Sequence, residues 1–471
     1  MFNRRGLSLG LAVLALGVSD SVAHAQPSPA SFTGSWNGML DLGAAKLTLV
    51  LHVSADPDGG FQGTMDSPDQ GAMGIPASEV VVEGRTLRFA VAPLGVSIAA
   101  ELSEDGDTLT GRFSQGPTEI PVTFSRGEAA APDRPQNPSL PLPYRSEEVT
   151  VPNSGADITL AGTLTLPAGT GPFPAVVLVS GSGPQDRDES LLGHKPFLVL
   201  SDHLTRAGIA VLRYDDRGVG GSTGDFSAST SEDFASDALA AVDFLRTRRD
   251  VATVGIVGHS EGGLVGPMAA ALSDAVGFVV MLAGPGITGA EIIELQSRLI
   301  ARAEGATDEM VQLNAAVQAK MFQILQKEPD AARAEPLLKA ALTEAAASLP
   351  EEESTPAAID AQVRQVNSPW FRYFLTYDPR PTLARVKVPV LALNGSLDLQ
   401  VPAEVNLREV GAALQEGRNP DFTTRELPGL NHLFQQAETG APSEYRTISE
   451  TMNPVALEAV SGWILERFAN R

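Results

Sequence analysis

One ten-residue stretch constrains the fold more than any other. Val254-Gly255-Ile256-Val257-Gly258-His259-Ser260-Glu261-Gly262-Gly263 runs from an apolar β-type segment, through a G-x-S-x-G pattern, into the small-residue segment 263–272, which reads as a helix. A strand that feeds a helix so abruptly leaves its serine on a strained turn. Glycine on either side removes the side chains that would collide there. The surrounding sequence repeats the strand–helix rhythm. Residues 175–179, 209–213, 278–282 and 388–393 are short Val-, Ile- and Leu-rich runs of the kind buried on both faces of a sheet. Residues 197–206 and 232–246 lie between them with helical spacing. From about residue 146 to residue 471 the alternation implies an α/β unit with a mostly parallel sheet.

A chain of 471 residues exceeds one ordinary domain. Residues 31–127 read as a second, all-β unit. Leu47, Leu49, Leu51 and Val53 alternate with Lys46, Thr48, Val50 and His52, and short strands are expected at 79–82, 87–91, 97–102, 108–113 and 122–124. Turn signals such as Glu104-Asp105-Gly106 separate them, which suggests a small antiparallel barrel or sandwich. Residues 128–145 are rich in Pro and Ala and read as a linker. Residues 1–25 read as an ordinary secretory signal: Arg4 and Arg5, an apolar run from Gly6 to Val18 too short to span a bilayer, then Ala23-His24-Ala25 before Gln26. The expectation is an exported protein, periplasmic or extracellular. Residues 289–377 form an Ala-, Glu- and Gln-rich helical insertion within the α/β unit.

Composition removes several classes of function. A formal net charge of -23 argues against nucleic acid or an anionic membrane as partner. No later stretch reaches membrane-span length. The chain has no cysteine, so disulfides, thiolate metal sites and cysteine nucleophiles are excluded. HExxH and paired Cys/His spacings are absent, and no metal or cofactor is expected.

A serine hydroxyl becomes a nucleophile only when a base takes its proton. The six histidines are His24, His52, His194, His203, His259 and His432. Where G-x-S-x-G sits between strand and helix, the acid and then the histidine follow the serine along the chain. His432 alone follows Ser260, just past an expected last strand at 423–427. His259 is expected to point away and to be structural. The acid should end a late strand, and 388–393 leads into Asn394-Gly395-Ser396-Leu397-Asp398. Asp398 would hold the His432 tautomer; Glu404, inside an expected helix, is the rival. An oxyanion needs backbone donors. One is the N–H of Glu261, and the other comes from Ser180-Gly181-Ser182-Gly183, with Ser182 first and Gly181 second. The Glu261 side chain suits the helix dipole and is given no further role.

The serine turn, Gly395-Ser396-Leu397-Asp398 and the His432 loop together resemble the α/β-hydrolase superfamily, especially its serine aminopeptidase-like and exported esterase branch. Asp215-Asp216-Arg217-Gly218-Val219-Gly220-Gly221-Ser222 is similar to the D-x-R-G-x-G-x-S loop of prolyl iminopeptidase-like members, and its charged residues are expected to brace the loop. Ser180-Gly181-Ser182-Gly183 stands where many members have His-Gly-Gly. The resemblance covers about residues 146–471 and implies an α/β-hydrolase sheet with 289–377 as a helical cap. Trp370, Phe371, Tyr373, Phe374 and Tyr377 cluster at the end of that insertion. Trp370, Phe371 and Phe374 are read as a wall of the substrate pocket, with cap-to-core packing the equal alternative. The implied activity is a serine hydrolase that cleaves a small-molecule carboxylic ester through an acyl-enzyme on Ser260, with Asp398 and His432. A peptidase or amidase with the same triad, acting on a small amide, is the alternative, and a binding protein on a hydrolase scaffold the third. Glu351-Glu352-Glu353 reads as solvated loop rather than an amine site.

Overall fold

A computed structural model of the chain describes residues 29–41, 46–56, 60–67, 72–116, 118–127, 134–346 and 355–469. The expected leader, residues 128–133 of the expected linker, and Glu351 to Glu353 lie outside these residues. The chain divides near residue 130 into two compact units.

The first unit is one antiparallel sheet of nine strands: β1 (Gly34–Asp41), β2 (Lys46–Ala55), β3 (Phe61–Ser67), β4 (Ala72–Pro76), β5 (Glu79–Glu83), β6 (Thr86–Val91), β7 (Val96–Leu102), β8 (Thr108–Gln115) and β9 (Thr118–Arg126). Their spatial order is β4-β3-β2-β1-β9-β8-β7-β6-β5. β4 and β5 sit at opposite ends of that order, yet only Ala77 and Ser78 separate them in sequence. Two residues cannot cross an open sheet whose strands stand about 4.8 Å apart, so the sheet rolls until its edges meet. The open choice between barrel and sandwich resolves to a rolled sheet. Strand alternation fills the inside: Val96, Ile98, Ala100 and Leu102 of β7 point inward, with Trp36, Leu51, Phe89 and Phe124. The sequence does not mark β1, β3 and β4, because stretches such as Asn37-Gly38-Met39 and Gln62-Gly63-Thr64 carry no clean apolar alternation.

The second unit is built on eight strands: β10 (Arg145–Asn153), β11 (Ile158–Leu166), β12 (Phe173–Val179), β13 (Ala210–Tyr214), β14 (Val251–His259), β15 (Val279–Leu282), β16 (Val390–Gly395) and β17 (Phe422–Leu427). The order is β10-β11-β13-β12-β14-β15-β16-β17. β10 and β11 form an antiparallel hairpin, β11 runs antiparallel to β13, and all later pairings are parallel. Both faces are covered, as the apolar runs demanded. In β12, Val177 and Val179 face the helices α2 (Ser231–Arg246), α3 (Gly262–Leu272) and α10 (Ala403–Glu416); Val176 and Leu178 face α1 (Pro196–Arg206) and α11 (Pro454–Phe468).

The insertion between β15 and β16 comprises α4 (Gly289–Ala303), α5 (Asp308–Lys327), α6 (Ala331–Ala346), α7 (Pro356–Val366) and α8 (Pro369–Thr376), followed by the short α9 (Arg380–Leu383). It has a core of its own around Phe322, Leu338, Leu342 and Val363. Its two ends meet where the Gly289 N–H donates to the Tyr377 carbonyl at 3.4 Å. The expected linker is not loose chain from residue 134 onward. Arg134 donates to the carbonyls of Ile448 (2.6 Å) and Leu192 (2.8 Å), and Gln136 Nε2 donates to that of Met452 (2.7 Å), which seats the segment on the α/β unit.

Candidate active site

The chain leaves β12 for β13 on one side and later returns to β14 on the other. The loops after these strands therefore open at a switch point of the sheet, where ligands gather in open α/β folds. The serine turn lies there. β14 ends at His259, α3 begins at Gly262, and Ser260 takes the left-handed conformation with φ +52°. Such a backbone costs a non-glycine residue about 1–3 kcal/mol. It is held by the Ser260 N–H on the Leu282 carbonyl (2.8 Å) and the Gly263 N–H on the Ser260 carbonyl (2.9 Å). The flanking glycines are a matter of space. A Cβ on Gly258 would stand 1.9 Å from the Gly262 oxygen, and one on Gly262 2.0 Å from the Val179 oxygen.

The ends of β16 and β17 bring in the other two residues. His432 Nδ1 lies 2.9 Å from Asp398 Oδ2, and both side chains are buried. Asp398 Oδ1 accepts the N–H groups of Gln400 (2.9 Å) and Val401 (2.8 Å), and Asn394 Nδ2 reaches Oδ2 at 3.3 Å. Glu404, the rival acid, is exposed at the start of α10. Asn431 shapes the histidine loop by accepting from the N–H groups of Leu433 (3.0 Å) and Gln435 (2.9 Å). The loop lies against the serine turn: the His432 ring is 4.9 Å from that of His259, and His259 Nε2 donates to the His432 carbonyl at 3.0 Å. Ser260 is partly exposed, and its Oγ makes no hydrogen bond among the described residues. The other histidines among the described residues are engaged elsewhere, His52 with Ser35 and Asp66, His194 with Thr451 and Tyr445, and His203 with Ser461.

The geometry separates the two expected donors in the loop after β12. The Gly181 N–H is donated to Glu189 Oε1 at 2.8 Å and is not available to a substrate oxygen. The N–H groups of Ser182 and Glu261 are donated to nothing among the described residues. Asp215 and Arg217 brace the neighbouring loop as expected: Asp215 binds Arg187 at 2.9 Å and Arg217 binds Asp237 at 2.7 Å. Asp216 accepts from Ser180 Oγ (2.9 Å) and the Gln185 N–H (2.9 Å). Burial pushes its carboxyl up to about 8, with Glu261 and Glu189 adding to the rise.

One expectation is corrected. The Glu261 side chain has a role beyond the helix dipole: its buried Oε1 accepts from Ser231 Oγ (2.6 Å) and from the Trp370 indole N–H (2.7 Å). Burial raises this carboxyl and the hydrogen bonds oppose the rise. The link ties the last cap helix to the serine turn. The aromatic cluster divides accordingly. Trp370 reaches the turn and stacks on Phe374 at 5.3 Å; Phe374 is buried with Ile287, Ile292 and Val401. Phe371 turns into the cap core beside Phe322. Tyr373 and Tyr377 stack on each other against the sheet core. Glu189 had no sequence signal, whereas Asn394 and Asn431 lay inside the two loops already singled out.

The alpha/beta hydrolase family's sequence model matches residues 176–442. The chain belongs to the alpha/beta hydrolase family. Esterase EstD of Thermotoga maritima is 29% identical to this hydrolase over 330 residues, 69% of each chain. Among solved structures, Est1E from Butyrivibrio proteoclasticus with ferulic acid bound is 18% identical, with a TM-score of 0.39 covering 68% of this chain and 100% of that one. The Pyrococcus furiosus esterase Pf2001 is 14% identical, with a TM-score of 0.43 over 73% of this chain and 99% of its own. Among the described residues of the hydrolase, no group of His, Asp and Glu is arranged to hold a metal ion, and no helix is long and apolar enough to cross a membrane.

Proposed function

We propose that this hydrolase cleaves carboxylic esters of small molecules by acyl transfer through Ser260. The observation that carries the reading is the buried His432–Asp398 hydrogen bond of 2.9 Å beside a serine on a left-handed strand–helix turn. With Nδ1–H donated to Asp398, the His432 Nε2 lone pair is the base. It takes the Oγ proton as Ser260 attacks the acyl carbon, and the carbonyl electrons move onto oxygen. The N–H groups of Glu261 and Ser182 receive that oxyanion. His432 then gives the proton to the departing alcohol, leaving an acyl-Ser260 ester, and a water deprotonated by His432 releases the acid. The esterase relative from Thermotoga maritima supports the ester over the amide. A serine aminopeptidase would hold its substrate's free amine on a carboxylate; Glu261, next to the serine in the chain, already has Oε1 on Ser231 and Trp370.

Two measurements test the proposal. A serine-directed fluorophosphonate should leave its adduct on Ser260 by mass spectrometry, and Ser260→Ala should take up none. Turnover of a panel of acyl esters should exceed that of aminoacyl amides; the reverse order would make the protein an amidase. We further propose that residues 1–25 direct export and are removed. The mature N-terminus of the secreted protein should then begin at Gln26, and an intact Met1 there would refute the signal.

A further inference from the structure

The acyl-transfer scheme gives no task to the buried pair of His259 and Glu189 beside the serine turn. His259, the last residue of β14, is buried and meets an acceptor at each ring nitrogen. Glu189 Oε1 stands 2.9 Å from Nδ1, and the main-chain oxygen of His432 stands 3.0 Å from Nε2. A carbonyl has no proton to give and a carboxylate has none either. With Glu189 ionised, both contacts are hydrogen bonds only when both nitrogens carry protons, as in the imidazolium. The same Glu189 oxygen accepts the Gly181 N–H at 2.8 Å. Gly181 itself is close to the nucleophile: a Cβ placed on it would lie 3.2 Å from Ser260 Cβ. Glu189 has a left-handed backbone, φ +52°, in a turn closed by its N–H on the Asp186 carbonyl at 2.9 Å. The pair thus reaches three separate pieces of the site: the end of the nucleophile strand, the loop after β12, and the main chain of the residue read as the base.

We propose that the Glu189 carboxylate and the His259 imidazolium form a positioning pair, which holds the His432 main chain and the Gly181 loop in register with Ser260 without touching substrate. The inference rests on the Ser260–His432–Asp398 reading given above. Its alternative is a neutral pair in which the proton sits on Glu189 and His259 Nδ1 accepts it. The Gly181 N–H on the same oxygen disfavours that form, because it stabilises the anion. The ionisable groups facing the His259 ring are Glu189 from the loop after β12, Asp398 from the turn after β16, and the His432 ring, 4.9 Å away, from the loop after β17. Burial is the largest influence and opposes a charged ring; Glu189, the His432 carbonyl and Asp398 outweigh it, so His259 titrates above the ordinary histidine value. Losing one of these contacts frees the base loop and the oxyanion loop together, and a 1 Å misplacement of reacting groups costs about 10²-fold in rate.

The decisive measurement is nitrogen NMR of the wild-type protein labelled in its histidine rings, with the His259 signals assigned by their loss in His259→Gln. Two protonated nitrogens on His259, across the pH range in which the enzyme is active, support the pair; one bare nitrogen overturns it. Kinetics provide the second arm. Glu189→Gln and His259→Gln should lower kcat about 10²-fold with KM little changed, and should slow fluorophosphonate labelling of Ser260 in proportion. Folded variants with wild-type kcat overturn the proposal. If either variant does not fold, the wild-type spectrum alone decides. Retained activity in Ser260→Ala or His432→Ala would instead refute the triad, an outcome separable from normal activity in the Glu189 and His259 variants alone.

Discussion

Asp398 receives four hydrogen bonds, and the one from His432 is the one that chemistry can weigh. In Asp398→Asn an amide that turns its NH₂ toward Nδ1 moves the imidazole proton to Nε2, where the lone pair is needed. We expect kcat to fall by roughly 10⁴, by analogy with other Ser-His-Asp triads, with the circular dichroism unchanged. Glu404→Gln should behave as wild type, and the opposite pattern would make Glu404 the acid. Asp216 gives a prediction for stability. Its folded value of about 8 lies above the ordinary 3.8, so the folded protein keeps a proton that the unfolded chain gives up. The stabilisation from that proton is complete below about pH 4 and is lost as pH rises toward 8. Asp216→Asn carries no such proton, and the Tm of the variant minus that of wild type should climb between pH 4 and pH 8. A flat difference would show that Asp216 ionises normally. The residues proposed as the triad were legible because each sits at a strand end and the chain order left one histidine. Glu189 was not, because its partner His259 is 70 residues away and a loop glutamate has no periodicity to mark it.

At the scale of elements, α8 ties the cap to the turn that carries Ser260. Its N-terminus is set by Ser368, which caps the Phe371 N–H, and by Pro369 in the first turn. That start orients Trp370 toward Glu261, and Phe371 falls on the cap's own core. The insertion was readable from its helical spacing, but this division of its aromatics was not: the Trp370–Glu261 bond joins residues 109 apart, and only the folded sheet brings them together. Trp370→Phe removes the donor and keeps an aromatic ring. It should change the ranking of short against long acyl esters by about 1–3 kcal/mol in kcat/KM, while Ser260 is still labelled by the phosphonate. An equal loss for every ester, together with a lower Tm, would reduce the bond to packing. Phe278, stacked on Phe468 at 4.5 Å under β15, belongs to stability alone. Phe278→Ala should cost about 3–5 kcal/mol in denaturant unfolding without altering the ester ranking.

For the whole molecule, the two units have separate hydrophobic cores, one inside the rolled sheet and the others in the α/β unit and its cap. Calorimetry should resolve more than one unfolding transition, and a single two-state peak would mean that the units unfold together. The tryptophans are distributed in the same way. The chain has three. Trp36 is sealed in the rolled sheet and Trp463 lies against Phe278 and Phe468, with 0% and 7% of their surfaces exposed. Trp370 is the partly exposed one, with its indole nitrogen on Glu261, the residue after Ser260. A collisional quencher such as acrylamide therefore meets Trp370 first, and the fluorescence it removes comes from the threshold of the site. On the proposed reading Trp370 is an optical reporter built into the enzyme, and its fluorescence should change when an ester arrives, in unlabelled protein and before any bond is broken.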